Sequence, residues 1–134
     1  MKKIVIMGCG RLGGRLASLL DAAGHNVTIM DLDDYSFRRL LPGYKGKALV
    51  ANGVDIESLK KAGIQEAEVF IAVTQGDNRN VMAAQIAKKT FNVPKVIVRI
   101  LDPNKESFCG EIGVECVCPT SIGAEKMIKK INEI

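Results

Sequence analysis

The chain has 134 residues, which is the length of one domain and enough to bury a hydrophobic core. Hydrophobic residues make up 47% and charged residues 25% of the sequence, as is usual for globular proteins in water. The net charge of +4 is spread along the chain, and the apolar runs are far shorter than a membrane span. The composition therefore excludes a spanning segment within these residues and gives no reason to expect a nucleic-acid partner.

The first third of the chain predicts a strand, a glycine-rich turn, a helix and a second strand. Residues 2–7 are apolar on both faces, as in a buried central strand. Residues 8–13 form the turn Gly-Cys-Gly-Arg-Leu-Gly, and residues 11–23 carry apolar side chains at helical spacing. A second apolar run at 27–30 ends at Asp31, about 20 residues after the turn. This order is typical of a nucleotide-binding unit.

Each glycine of the turn has a physical role if the ligand is a nucleotide. Gly8 permits the tight turn, Gly10 leaves room for a phosphate to approach the backbone, and Gly13 lets the helix lie close to the strand. The helix N-terminus offers unpaired N–H groups to the phosphates, and Asp31 can accept both ribose hydroxyls. Because a carboxylate repels the extra phosphate of NADP, Asp31 favours NAD or another adenosine ligand. The alternative is an ordinary strand–helix turn with Asp31 facing the solvent.

Strands and helices continue to alternate along the rest of the chain. The predicted strands are 48–51, 68–74, 94–100 and 114–118. The predicted helices run from an Asp33 cap to residue 41, from an Asp55 cap to 63, from Asp77 or Asn78 to 90, from an Asp102 cap to about 110–113, and from Thr120 or Ser121 to the C-terminus. This pattern predicts one α/β domain over 1–134, a Rossmann-type doubly wound parallel sheet of six strands in the order 3-2-1-4-5-6. The ligand is expected across the carboxyl ends of strands 1 and 4.

The four cysteines favour a reduced, intracellular protein. Cys9 lies inside the glycine turn, where a disulfide would obstruct a ligand. Cys116 and Cys118 are two apart on a strand and share a face, so they could supply half of a metal site. Because no second pair or histidine has matching spacing, we interpret them as small core residues and expect no metal, and Cys109 offers no further pattern.

Three arginines near the turn have different interpretations. Arg11 is unfavourable against the helix dipole, which favours a role as a phosphate donor over a solvated position in the first turn. Arg38 and Arg39 lie in the second helix and are interpreted as part of its solvated face.

Polar residues also stand at the ends of the fourth and fifth strands. Asp77 and Asn80 open a helix at the mouth of the sheet, and either helix capping or ligand binding accounts for them. Arg99 ends a buried strand and needs a partner, which could be Asp77, a ligand or a neighbouring subunit.

The strings GCGRLG, VTIMDLD, NGVDIESLKKAGI, AEVFIAVTQGDNRNVMAAQIAKKTFNVPKVIVRILDP and GVECVCP together resemble the KTN domain. This domain is the nucleotide-binding part of the RCK or TrkA-type regulators of potassium transport. The resemblance covers almost the whole chain. Its specific parts are the arginine inside the glycine turn, the AGI segment, and a T-x-x-D-x-x-N cluster before a strand that ends in arginine.

The resemblance implies a cytoplasmic regulatory subunit, not an enzyme, held at the inner face of the membrane by a membrane-embedded potassium channel or transporter. It implies dimers that assemble into a ring, with the last helix, about 120–134, packed between subunits. The ligand would be NAD or NADH, or alternatively ATP, ADP or AMP. The residues that the resemblance assigns to it are Gly8, Cys9, Gly10, Arg11, Leu12, Gly13, Asp31, Leu32, Asn52, Gly53, Val54, Thr74, Asp77, Asn80 and Arg99. The chain departs from the family pattern at Asn52 and Thr120, where the family commonly has acidic residues.

Two other classes of protein compete with this interpretation. An NAD-dependent oxidoreductase would share the glycine turn, but the sheet uses nearly every residue and leaves no substrate domain. In addition, no histidine or Tyr–Lys pair is placed to act as the acid that a hydride transfer needs. A transcriptional redox sensor would need a DNA-binding segment, and none is recognisable.

Overall fold

The computed structural model describes all 134 residues as six strands and five α-helices. The strands are β1 Lys3–Met7, β2 Asn26–Asp31, β3 Lys47–Val50, β4 Val69–Ala72, β5 Lys95–Arg99 and β6 Glu115–Val117. The helices are α1 Arg11–Ala22, α2 Ile56–Lys61, α3 Asp77–Gln85, α4 Ser107–Ile112 and α5 Pro119–Ile131. A π-helical turn, Ile86–Thr90, prolongs α3, and short 3₁₀ turns lie at Asp34–Arg39, Ile64–Glu66 and Pro103–Lys105.

All neighbouring strands are parallel, and their order is β3-β2-β1-β4-β5-β6, so the predicted Rossmann-type topology is confirmed. The central strand β1 pairs with β2 on one side and with β4 on the other. The strands that follow β1 are thus added first on one side of it, as β2 and β3, and then on the other side, as β4 to β6. This switch leaves a crevice at the carboxyl ends of β1 and β4.

Alternate residues of β1 point into two separate cores. Val5 and Met7 pack in the larger cluster with Phe70, on the face covered by α2 and α3. Ile4 and Ile6 pack in the smaller cluster with residues of α1. This division explains why β1 is apolar at every position from Ile4 to Met7, since a strand covered on both faces has no solvent side.

Helix α3 begins at Asp77, one of its two predicted first residues, and the start of α5 differs from the prediction. The N-cap of α3 is Gly76, because the carboxylate of Asp77 is directed to the end of β5 and does not cap the helix. Helix α5 begins at Pro119, whose fixed φ suits a first helical position, and Ser121 donates its hydroxyl to Glu106.

Two of the four cysteines are close neighbours. Cys109 of α4 and Cys116 of β6 lie side by side, because the short connection between these elements brings their Cα atoms to 5.9 Å, a separation that a disulfide can span. Cys9 and Cys118 are free and buried. No three side chains of His, Cys, Asp or Glu are grouped as a metal site, and none of the helices has the length and apolarity to cross a bilayer.

Candidate functional site

The glycine turn after β1 is shaped by close backbone contacts at two of its glycines. Gly8 has a φ of +110°, and a Cβ there would lie 2.9 Å from the Val73 carbonyl oxygen. A Cβ at Gly13 would overlap the carbonyl oxygen of Gly8. At Gly10, by contrast, a Cβ would meet nothing within 4 Å. The fold therefore needs Gly8 and Gly13, whereas nothing inside the chain occupies the space beside Gly10.

Helix α1 begins directly after this open space. Gly10 is its N-cap, no side chain caps the helix, and no acidic residue lies in its first turn. The first-turn amides thus have no partner within the helix, and the positive end of the helix dipole is not compensated. Such an end is suited to bind an anion.

Asp31, at the end of β2, holds the turn in place through both of its oxygens. Oδ2 accepts the Cys9 N–H at 2.8 Å, and Oδ1 accepts the Asp33 N–H at 2.9 Å. Each carboxylate oxygen can accept a further hydrogen bond. Burial, and next the charge of Asp31, raise the pKa of the Cys9 thiol, while Arg39 opposes the shift. The thiol is therefore neutral at physiological pH.

The crevice at the strand ends is a cleft of about 340 Å³. Eight of the predicted site residues line it: Gly8, Cys9, Gly10, Asp31, Leu32, Asn52, Gly53 and Thr74. The other seven lie outside its walls: Arg11, Leu12, Gly13, Val54, Asp77, Asn80 and Arg99. The cleft walls also include polar residues that were not predicted as site residues, namely Ser36, Arg39, Gln75 and Arg79.

The loop after β3 forms the floor of the cleft. A Cβ at Gly53 would overlap the Met7 side chain, so this glycine allows the loop to lie against β1. The side chain of Asn52 accepts the Val54 N–H at 3.1 Å, and thereby closes the turn. A neutral amide is sufficient to close this turn.

Two neighbouring arginines have different environments. Arg38 lies on the Tyr35 ring, 4.1 Å from its centroid, and donates to the Tyr35 carbonyl oxygen, as expected for a surface residue. Arg39 lines the cleft and donates to the Cys9 carbonyl oxygen at 3.3 Å. Arg39 is thus exposed, as the solvated-face interpretation predicts, but it also lines the cleft, which that interpretation did not anticipate. The helical period could not separate the two, because Asp34–Arg39 is a 3₁₀ turn.

Asn80 is a fully buried cross-link between β4, α3 and β5. Its Oδ1 accepts the Thr74 N–H at 3.0 Å and the Thr74 hydroxyl at 2.5 Å. Its Nδ2 donates to the carbonyl oxygens of Thr74, at 3.0 Å, and of Arg99, at 3.1 Å. All hydrogen-bonding groups of the amide are thus used inside the chain.

Asp77 and Arg99 complete this network. The Asp77 carboxylate accepts the amides of Leu101 and Asp102 at 2.7 and 3.0 Å. Arg99 donates to the carbonyl oxygens of Val73 and Thr74 at 2.8 and 2.9 Å. Burial lowers the Arg99 pKa, and the charge of Asp77 acts in the opposite direction. These side chains support the cleft wall from behind.

Comparisons with known proteins agree with this architecture. The family model of the TrkA-N domain matches residues 4–119. The chain is 41% identical over 128 residues to the Trk system potassium uptake protein TrkA of Streptomyces coelicolor, covering 96% of this chain and 57% of that protein. The chain thus spans little more than half the length of this relative.

Solved structures of two other proteins share the fold. The C-terminal domain of Kef from Shewanella denitrificans, in an AMP-bound form, superposes with a TM-score of 0.82 at 20% identity, covering 97% of this chain and 80% of that one. The GsuK channel bound to NAD superposes with a TM-score of 0.80 at 20% identity, covering 95% of this chain and 22% of that one. Because the family match extends over most of the sequence, the chain belongs to the TrkA-N domain family.

Proposed function

We propose that the chain binds an adenine nucleotide in the cleft and serves as a regulatory domain of a potassium-transport system. The observation that carries this proposal is the open space beside Gly10, next to the unpaired amides of α1. A phosphate group would fill that space and accept those N–H groups. Asp31, on the opposite side of the turn, would accept the ribose hydroxyls with its remaining lone pairs.

The rest of the cleft is suited to the remainder of the ligand. The adenine would lie between Leu32 and the floor formed by Asn52 and Gly53. Gly13 would act by holding α1 close to β1, and Asn80 by fixing Thr74 at the opposite wall. Arg11 lies outside the cleft walls. Its role as a phosphate donor would require its side chain to turn toward the ligand.

The names of the similar proteins support the transport role. The Streptomyces relative is a potassium uptake protein, and GsuK is a channel solved with NAD and, separately, with ADP. Under this proposal the chain would act at the cytoplasmic face of a membrane-embedded transporter or channel. Its last helix exposes Met127, Ile128 and Ile131 on one face, which would pack between two copies of the chain.

An oxidoreductase is the alternative that shares the fold. A hydride transfer commonly needs an acid or base beside the reacting carbon. The side chains lining the cleft include no histidine, tyrosine or lysine, and the neutral, buried Cys9 thiol is a poor proton donor. The cleft composition therefore favours binding over turnover.

The proposal is tested by measuring nucleotide binding to the wild type and to Gly10→Val. A ligand at about one hundred times its dissociation constant should stabilise the wild type by ~2.7 kcal/mol and raise its melting temperature by roughly 10 °C. Without ligand, Gly10→Val should lower the melting temperature only slightly, because a Cβ at this position meets nothing within 4 Å but valine is a poorer N-cap than glycine. It should lose the ligand-induced shift, because valine fills the space of the phosphate.

Gly123→Val provides the matched control. Gly123 also has open space around its Cβ position, but it lies in α5, away from the cleft. This variant should bind nucleotide like the wild type. If AMP, ADP, ATP, NAD and NADH all fail to stabilise the wild type, or if Gly10→Val binds them unchanged, the proposal is wrong.

A further inference from the structure

Two cysteine side chains meet near the β6 edge of the sheet, outside the walls of the cleft. Cys109 of α4 and Cys116 of β6 have their Cα atoms 5.9 Å apart and their Sγ atoms in contact. Cα atoms joined by a disulfide are usually about 4.4–6.8 Å apart. Neither residue lines the cleft. The pair is therefore a feature separate from the candidate nucleotide site.

The two thiols attach a small edge unit, Ser107–Val117, to the core. Cys109 is the one buried residue of α4, which has six residues. Cys116 is the one residue of β6 that is not exposed, and β6 has three residues and pairs with β5 alone. Both side chains pack in or against the larger core cluster. The attachment of the edge unit therefore depends strongly on the state of these two side chains.

The chain between the two cysteines is short and already folded back. The cysteines are seven positions apart, and α4 ends at Gly113, whose φ of +70° reverses the chain. The Val114 N–H then donates to the Cys109 carbonyl oxygen at 3.3 Å. The backbone thus holds both thiols in place, and a bond between their sulfur atoms would close a small loop.

The four cysteines differ in their access to reagents. Cys9 and Cys118 are buried and have no partner. Cys116 is partly exposed, whereas Cys109 has only 4% of its surface exposed. A small reagent therefore reaches Cys116 first, and Cys109 is placed to react with whatever forms there.

We infer that Cys109 and Cys116 are a redox modification site, a dithiol that a small disulfide such as glutathione disulfide converts reversibly into an intramolecular disulfide. The Cys116 thiolate attacks one sulfur of the oxidant, which gives a mixed disulfide and releases one glutathione thiolate. The Cys109 thiolate then attacks the Cys116 sulfur and releases the second glutathione. The protein gives up two electrons and two protons, and one glutathione disulfide becomes two molecules of glutathione.

The disulfide ties α4 to β6 and thereby holds the start of α5. Helix α5 begins at Pro119, two residues after β6, and the Ile122 N–H donates to the Cys118 carbonyl oxygen at 3.0 Å. The cross-link stabilises the chain mainly by restricting its unfolded state, and it also opposes local opening of the edge unit. This site acts without nucleotide, so the inference goes beyond the proposed function.

The test equilibrates the 134-residue chain in anaerobic glutathione buffers of increasing oxidised fraction, and then blocks free thiols with iodoacetamide. Intact mass counts the disulfides. Digestion after glutamate separates the two cysteines by cleaving at Glu111 and Glu115, so a disulfide is seen as two joined peptides. The wild type should stay reduced when glutathione is in large excess. It should form one Cys109–Cys116 disulfide when glutathione disulfide predominates, and dithiothreitol should reverse it.

Three variants assign the roles of the thiols. Cys116→Ser removes the accessible thiol at nearly constant size and should form no intramolecular disulfide. Cys109→Ala, which places no hydroxyl in the core, should stop at a mixed disulfide of Cys116 with glutathione. Cys118→Ser is the matched control, because it removes a thiol two residues away and should oxidise like the wild type.

Oxidation should also change stability and local opening, and each protein is compared with itself in the two redox states. The melting temperature of the wild type and of Cys118→Ser should rise by roughly 5 °C on oxidation. Deuterium uptake by the edge unit should slow by about tenfold. Neither quantity should respond to glutathione disulfide in this way in Cys116→Ser.

Several results would overturn the inference and leave the proposed function untouched, since none of them involves a nucleotide. One is a wild type that keeps four free thiols when glutathione disulfide predominates. Another is a disulfide that includes Cys9 or Cys118, or one that persists in a large excess of glutathione. A third is a Cys109–Cys116 disulfide that changes neither the melting temperature nor the deuterium uptake of the edge unit.

Discussion

At the scale of single residues, the turn separates positions that the fold needs from positions that a ligand needs. A Cβ at Gly13 would overlap the carbonyl oxygen of Gly8, whereas a Cβ at Gly10 would meet nothing. A sequence shows these two glycines as equal members of one motif. Only the backbone arrangement shows that the first is a packing requirement and the second leaves a space open to the cleft.

Asp31 supports the fold of the turn and, under the proposed function, also contacts the ribose of the ligand. A comparison of ADP with 2′-deoxy-ADP separates these two roles. Asp31→Ala should weaken ADP binding by about 1–3 kcal/mol through the loss of charge-assisted hydrogen bonds to the ribose. Part of this loss would come from the turn, because the Cys9 and Asp33 amides lose their acceptor. We therefore expect 2′-deoxy-ADP to bind less tightly than ADP to the wild type, but equally tightly to Asp31→Ala, as measured by calorimetry. An equal penalty for the deoxy ligand in both proteins would contradict contact between Asp31 and the ribose.

At the scale of elements, the alternation of strands with helical segments was predictable from the sequence, but the segment after Asp33 is a 3₁₀ turn and not an α-helix. Apolar runs of four to seven residues and the glycine and proline breaks between them define the strands, and β1 lacks the polar alternation of an exposed strand. The direction of side chains at element ends was not predictable in this way. Asp77 has the sequence position of a cap, yet it is bound to Leu101 and Asp102, which are distant in sequence. Arg79, a surface residue by composition, lines the cleft because α3 starts at its rim.

The junction of β4, α3 and β5 depends on an amide, which makes Asn80→Asp a sharp test. This change keeps the shape of Asn80, but it removes two donors and places a carboxylate against the carbonyl oxygens of Thr74 and Arg99. We expect a loss of about 3 kcal/mol in the free energy of unfolding, measured by urea denaturation at pH 7. The loss should shrink as the pH falls, because a protonated carboxyl can again donate one hydrogen bond.

Asn78→Asp is the control for added charge at the same helix end. Asn78 is exposed, and a negative charge in the first turn of α3 interacts favourably with the helix dipole. This variant should be as stable as the wild type or slightly more stable. A stable Asn80→Asp variant would mean that the junction does not depend on this amide.

At the scale of the whole molecule, the half-buried Tyr44 phenol and the buried Cys9 thiol make the stability of the fold sensitive to alkaline pH. The Tyr44 hydroxyl donates to the carbonyl oxygens of Val27 and Lys47, at 3.3 and 2.9 Å, and so joins the starts of β2 and β3. Burial first, and then the charges of Asp21 and Cys9, raise the Tyr44 pKa well above its ordinary range. Burial likewise raises the Cys9 pKa at the glycine turn. Both the sheet edge and the candidate site therefore require a protonated group.

The sign of the pH dependence follows from these two shifts. In the unfolded chain the thiol and the phenol ionise near their ordinary pKa values of 9.0 and 10.0, whereas in the native chain both groups lose their protons only at higher pH. Above pH 9 the native state binds more protons than the unfolded state, so the free energy of unfolding falls by up to ~1.4 kcal/mol per pH unit for each group. Urea denaturation at pH 8, 9.5 and 10.5 should show this fall. Tyr44→Phe should reduce its slope above pH 10, and Tyr35→Phe, which alters a 66% exposed residue, should not. Parallel pH profiles of Tyr44→Phe and the wild type would show that the Tyr44 proton does not stabilise the sheet edge.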